Sequence, residues 1–320
     1  MALQTSTQKW RSHTSPMSAG LARSGARYNR KPGYSVAPRS FSRNGMTPPS
    51  NSYPLGYTEN EARRLTAQAA FFEDLTEDVF RRAGIGLGMH VLDLGCGVGD
   101  ISFLAAGMVG AAGTVLGIDR NASSIETARH RAMGLGLSNM QFEVSELDTF
   151  ADNGRRFDAL IGRLVLLYLP DPAATLRRFR NFLRPGGVIA FQEIDMDQFS
   201  QFPTSELFSR VGSWIIAGFK AGGAETNMGR RLLSTFLQAG LPRPTMIAAS
   251  RVESGPDAYA YTYITGILRS LLPLVERAGL ASAQEVAIDS LADRLRQDAT
   301  ANEIVTFLPR MVGAWSRLPS

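Results

Sequence analysis

A chain of 320 residues with 44% hydrophobic and 20% charged residues has the make-up of an ordinary soluble globular protein. Its longest apolar stretch, Phe103 to Ile118, is interrupted by Gly107, Gly110 and Gly113 and ends at Asp119, so no membrane span is expected; one cysteine excludes an internal disulfide framework, and three histidines leave little for a metal site. The formal charge of +5 divides unevenly: residues 1–58 carry +8 with no Asp or Glu, which leaves −3 for residues 59–320, a balance with no broad attraction for nucleic-acid backbones.

Residues 1–56, rich in Ser, Arg, Pro and Gly, lack apolar periodicity and read as a disordered basic extension. An acid-free, Arg- and Ser-rich stretch is also the composition of an organelle transit peptide, so the cytoplasm is the default compartment and targeting the alternative. From about Tyr57 order begins, with one helix from Asn60 to about Phe80 carrying Ala62, Leu65, Ala69 and Phe72 at helical spacing. Short apolar strands and helices then alternate. Strands are predicted at Val91–Leu94, Thr114–Ile118, Met140–Val144, Phe157–Ile161 and Val188–Glu193, and helices at Asp100–Met108, Ser123–Met133 and Ala173–Leu183. This alternation implies a doubly wound, mostly parallel α/β sheet covered on both faces. Further on, helices are predicted at Leu207–Phe219, Met228–Ala239, Ala258–Ala278 and Ala283–Arg296, and strands at Thr245–Val252 and Ile304–Trp315, seven strands in all. The domain reading is 57–253 as the binding domain, 254–300 as a helical insertion between the last two strands, and 301–320 as the final strand returning to the sheet.

The strongest motif is Val91-Leu92-Asp93-Leu94-Gly95-Cys96-Gly97-Val98-Gly99-Asp100, an apolar strand that ends in three alternate glycines and opens into a helix. Side-chain-free residues let backbone amides approach a ligand, and the helix N-terminus adds donors. The spacing is Gly-x-Gly-x-Gly, not the Gly-x-Gly-x-x-Gly of dinucleotide binders. Asp93 is suited to ordering this loop or meeting a cofactor amine, and Cys96 reads as a packed small residue. Asp119, with the adjoining Arg120, ends the second strand where a carboxylate can accept from both ribose hydroxyls of an adenosyl group. Glu146 after the third strand could accept from an adenine amino group, with the Leu147 amide meeting a ring nitrogen. Taken singly, each acid could equally be a solvated loop carboxylate.

With Phe157–Arg163, Tyr168-Leu169-Pro170-Asp171-Pro172 and Leu183-Arg184-Pro185-Gly186-Gly187, these motifs resemble the class I, Rossmann-like S-adenosylmethionine-dependent methyltransferases, particularly small-molecule enzymes near the ubiquinone and menaquinone methyltransferases. The resemblance covers about residues 57–195. It implies S-adenosylmethionine as cofactor and S-adenosylhomocysteine as product. It also implies that Arg163 and Tyr168 line the cofactor, and that Tyr57 and Gln68 close over its methionine end.

The acceptor side is less defined. Methyl transfer from a sulfonium is an in-line displacement that needs alignment and, for some acceptors, a base. His13, His90 and His130 fall outside the segments where relatives place a histidine base, which leaves Tyr168, Glu193, Asp195 or water; Gln192 shares the strand end with the two acids. Residues 254–300, with Tyr259, Tyr261, Tyr263 and Ile267, together with Trp214–Phe219, could form a lid over an apolar pocket, a homodimer contact or plain core. The expected reaction is methylation of carbon, oxygen or nitrogen on a small lipophilic or aromatic metabolite, with secondary metabolism as the expected setting. A cyclase or scaffold that binds the cofactor without transferring methyl is the alternative, and an RNA or protein methyltransferase a weaker one. A nicotinamide oxidoreductase fits the glycine spacing least.

Overall fold

Five short apolar runs form five adjacent strands of one sheet. The computed structural model describes residues 54–55, 59–151 and 153–320; Tyr57 and the rest of the predicted basic extension, residues 1–53 and 56, lie outside them, but Leu55, expected within that disordered extension, is buried in the core. In chain order, α1 (Glu59–Phe71) and α2 (Glu73–Ala83) precede β1 (His90–Leu94), α3 (Asp100–Val109), β2 (Thr114–Asp119), α4 (Ala122–Gly134), β3 (Met140–Val144), β4 (Phe157–Arg163), α5 (Pro172–Phe179) and β5 (Leu183–Asp195). Then come β6 (Ser200–Phe202), α6 (Glu206–Ala221), α7 (Met228–Gln238), β7 (Thr245–Ala249), β8 (Val252–Ser254), α8 (Ala260–Arg277), α9 (Ala283–Val286), α10 (Ile288–Ala301), β9 (Val305–Phe307) and β10 (Arg310–Arg317).

The main sheet has seven strands in the order β3-β2-β1-β4-β5-β10-β7. Pairings from β3 through β5 are parallel, and β10 runs antiparallel to both β5 and β7. The mostly parallel α/β sheet read from the sequence is thus present. Alternate residues of each strand serve opposite faces. Leu92, Leu94, Leu116, Ile118, Leu160, Ile189 and Phe191 share one core with Leu176 and Phe179 of α5 and Leu232 and Phe236 of α7. Val91, Val115, Ile161, Val188 and Ala190 face a second core with Val79 and Phe80 of α2, Ala105 and Val109 of α3 and Ile125 of α4.

Several boundaries differ from the sequence reading for packing reasons. The helix expected from Asn60 to Phe80 is two helices, broken at Phe72, which takes φ −110°, ψ 9° and is buried against Tyr263 with ring centroids 5.7 Å apart. Leu183, expected on a helix, starts β5; the ladder with β4 then skips from Leu183 to Val188, so the Pro-Gly-Gly run bulges out. The strand expected over Thr245–Val252 stops at Ala249, and the one expected over Ile304–Trp315 is divided. Val252–Ser254 and Val305–Phe307 join Ser200–Phe202 in an unforeseen three-stranded antiparallel sheet, β6-β9-β8. Among the described residues no helix is long and apolar enough to cross a membrane.

Candidate active site

The loop after β1 takes its shape from the three glycines, all at positive φ: Gly95 +64°, Gly97 +55° and Gly99 +90°. They do different things. A Cβ on Gly95 would lie 2.5 Å from Val165 Cγ2, so that residue is glycine because the turn after β4 closes on it. A Cβ on Gly99 would press on Phe103 and Phe142 at 2.9 and 3.0 Å; its smallness lets α3 start against the neighbouring strand. Gly97 has nothing within 4 Å on that side and faces a cavity of about 540 Å³.

This cavity lies over the C-terminal ends of β1 to β5, where ligands of open parallel sheets collect. Its wall includes Gly95, Cys96, Gly97, Asp119 and Arg120, then Glu146 and Leu147, then Arg163 and Tyr168, and Gln68 from α1. The structure therefore brings ten of the residues singled out from the sequence onto one surface. Asp119 Oδ2 accepts from Gly97 N at 3.0 Å and Oδ1 from Asn121 N at 2.8 Å, which ties β2 to the glycine loop. Burial raises its carboxyl above the ordinary value, against the lowering effect of those amides and of Arg120. Cys96 is buried, and burial pushes its thiol up, the opposite of thiolate activation.

Arg163 is half-buried in the wall and gives one hydrogen bond, Nη1 to Thr76 Oγ1 at 3.0 Å. No carboxylate among the described residues lies within ion-pair distance of it. Burial lowers its pKa, while Asp100 and Asp93 act the other way. A half-buried guanidinium in a cavity wall with no ion-paired carboxylate among the described residues is a place for an anionic ligand group. On the adjoining helix face, Arg64 Nη1 donates to Gln68 Oε1 at 2.7 Å and its guanidinium pairs with Glu61 at 2.5 Å.

Other sequence candidates sit elsewhere. Asp93 and Gly99 do not reach the cavity wall. Asp93 is wholly buried, accepts from Ser102 Oγ at 2.5 Å and is pushed up to about 8, by burial first. Glu193 and Asp195, considered as bases, are also absent from the wall. Glu193 Oε1 accepts from Val165 N and Leu166 N, and burial pushes its carboxyl up to about 8. Asp195 Oδ1 accepts from Arg230 N at 2.8 Å, three residues past the Asn227 N-cap, so it caps the start of α7. Of the three base candidates, only Tyr168 faces the cavity.

The part of the wall under α6 and α8 is apolar, with Ile194, Met196, Ile215, Ile216, Phe219, Ile264 and Ile267 from β5, the turn after it, α6 and α8, whereas Ser124, Asp148, Asp171 and Arg178 add polar groups at the strand-end side. Tyr263 on α8 is also there, its hydroxyl pushed up to about 12 by burial. Sequence reasoning missed Arg64, although its spacing of four from Gln68 puts both on one helix face. It also missed Met196 and Leu308, which carry no pattern that would mark them.

Residues 85–227 match the family model described as a methyltransferase domain. Over this segment, less than half of the chain, the protein is similar to methyltransferase domains. Within it fall the glycine loop, Asp119, Glu146, Arg163 and Tyr168, while α1 and α8, which also line the cavity, lie outside the matched stretch. Among curated proteins, the aklanonic acid methyltransferase DauC of Streptomyces sp. (strain C5) is 41% identical over 104 residues, 32% of this chain and 47% of that protein. A ubiquinone biosynthesis O-methyltransferase of Alkalilimnicola ehrlichii is 33% identical over 129 residues, 39% of this chain and 48% of that protein. The chain thus spans about half the length of these relatives. A solved Bacillus halodurans structure, described as a candidate methyltransferase, superposes with TM-score 0.52 at 14% identity, over 76% of this chain and 98% of that one, a likeness of fold.

Proposed function

We propose that the protein is a methyltransferase that moves the methyl group of S-adenosylmethionine onto carbon, oxygen or nitrogen of a small lipophilic or aromatic metabolite. The observation that carries this reading is one continuous cavity whose wall is polar at the strand ends and apolar beneath α6 and α8. The polar part fits the cofactor. Gly97 leaves open space against the backbone, Asp119 offers a carboxylate at the end of β2, and Arg163 offers a cation that no acid among the described residues pairs with. In this reading Asp119 holds the ribose, Glu146 and the Leu147 amide hold the adenine, and Arg163 with Gln68 holds the methionine carboxylate.

When bound, the cofactor supplies an electrophilic methyl on a sulfonium. The chain's part is to hold the acceptor in line with it and exclude water. No histidine among the described residues lines the cavity, and Tyr263 is raised too far to take a proton near neutrality. Tyr168 is left to orient the acceptor, and the favoured acceptors are those that shed their own proton readily. The apolar compartment and the net charge of −3 over residues 59–320 support a small molecule over a nucleic acid. The aklanonic acid methyltransferase likeness points the same way.

The test incubates the protein with methyl-labelled S-adenosylmethionine and a fractionated cell extract. Label is expected in an organic-soluble small molecule, with S-adenosylhomocysteine formed in equal amount. Label in RNA or protein, or cofactor bound and never consumed, would overturn the reading in favour of a macromolecular acceptor or a non-transferring cofactor protein.

A further inference from the structure

Glu193 is an acid where the core would more simply accept an apolar residue. Its side chain is fully buried, Oε2 has no hydrogen-bond partner among the described residues, and burying half a carboxyl unsatisfied is costly. The other oxygen is well used: it accepts from Val165 N at 3.0 Å and Leu166 N at 2.8 Å. Those amides belong to the turn that follows β4, whose entry residue Leu164 is held at φ +54°, a conformation a leucine adopts only under constraint. Leu164 N donates to Gln192 O at 2.9 Å, so the turn is gripped by two consecutive residues of β5. From this turn Leu164, Val165, Leu167 and Tyr168 reach the cavity, and Val165 is the residue packed onto Gly95 of the glycine loop.

We propose that Glu193 is a positioning residue that, from inside the core, fixes the turn Leu164–Tyr168 so that Val165 closes on the glycine loop and Tyr168 faces the acceptor space. It touches neither cofactor nor acceptor. The proposal rests on the assignment of the cavity to S-adenosylmethionine only for its effect on binding; the grip on the turn stands on the hydrogen bonds.

Three variants test it: Glu193→Gln, which keeps one carbonyl oxygen at the same reach, Glu193→Asp, which withdraws the acceptor by one carbon, and Glu193→Leu, which removes it. Calorimetric titration with S-adenosylhomocysteine is paired with hydrogen exchange of the segment 162–170. Gln is expected to bind within about twofold of the wild type, while Asp and Leu lose about tenfold or more and exchange faster in that segment alone. Asp retaining affinity and protection, or Gln losing as much as Asp, would overturn the proposal. Because Asp keeps the acid, that comparison remains decisive should Leu fail to fold. A wild type that does not bind S-adenosylhomocysteine would count against the cofactor assignment instead, and the exchange data alone would then decide the role of Glu193.

Discussion

At the scale of single residues, the site shows how little an acid's position in sequence says about where its carboxyl points. Asp93, Asp119, Glu193 and Asp195 all sit at strand ends beside the cavity, yet only Asp119 reaches it. The others serve Ser102, the turn after β4 and the start of α7. The glycine spacing and Asp119 were legible because their chemistry is local to one strand and one turn. The fates of Glu193 and Asp195 depend on amides 27 and 35 residues away, which no local pattern announces. The raised carboxyl of Glu193 has a consequence for stability. Its folded pKa of about 8 lies above the ordinary 4.5, so the native state holds a proton that the unfolded chain gives up. Its contribution is therefore fully present below about pH 4.5 and is lost as pH rises through about 8. Replacing it by glutamine removes that ionisation, so Glu193→Gln is expected to gain stability over the wild type as pH goes from 5 to 9, on the order of a few kcal/mol at the upper end. Urea denaturation at several pH values would show this; parallel curves for the two proteins would contradict it.

At the scale of elements, β1 to β5 and the helices between them could be read from periodicity because each is buried in the ordinary alternating way. The departures come from contacts made far along the chain. Phe72 breaks a helix that its own neighbours would continue, since it packs under Tyr263 of α8. Val252–Ser254 and Val305–Phe307 look like ends of longer strands, and only their pairing with each other and with Ser200–Phe202 makes them a separate sheet. The packing of α2 on β10 makes a similar demand. A Cβ on Gly313 would fall 2.3 Å from Val79 Cγ2, so helix and strand touch at this glycine. Gly313→Leu is expected to destabilise the fold by about 1–3 kcal/mol, and Val79→Ala in the same chain to recover part of the loss. Urea midpoints measure both, and an unchanged midpoint in the single variant would rule out the close approach.

At the scale of the whole molecule, the sequence showed the polar part of the cavity, which we assign to the cofactor, more clearly than the apolar part, which we assign to the acceptor, and the reason is physical. Holding a nucleoside and an amino acid needs particular polar groups at fixed strand ends, whereas enclosing an apolar acceptor needs only bulk. Ile215, Ile216, Ile264 and Ile267 would look the same in any core, and only the arrangement of α6 and α8 over the strand ends turns them into a wall. Residues 254–300 were expected as a lid. Here α8 supplies cavity residues, while Leu291, Leu295 and Ala299 of α10 are buried in the core behind it. We take α6 and α8 as the acceptor lid and α10 as its support.

The most direct check of this account is calorimetric titration of S-adenosylhomocysteine into the wild type and into two variants, Asp119→Ala and Gly97→Arg. The wild type is expected to bind. Asp119→Ala should lose roughly a hundredfold, as two charge-assisted hydrogen bonds to a ligand imply. Gly97→Arg, strained at φ +55° and filling the open space beside the loop, should lose binding altogether while still melting cooperatively. Equal affinity in all three proteins would place the cofactor somewhere other than this cavity.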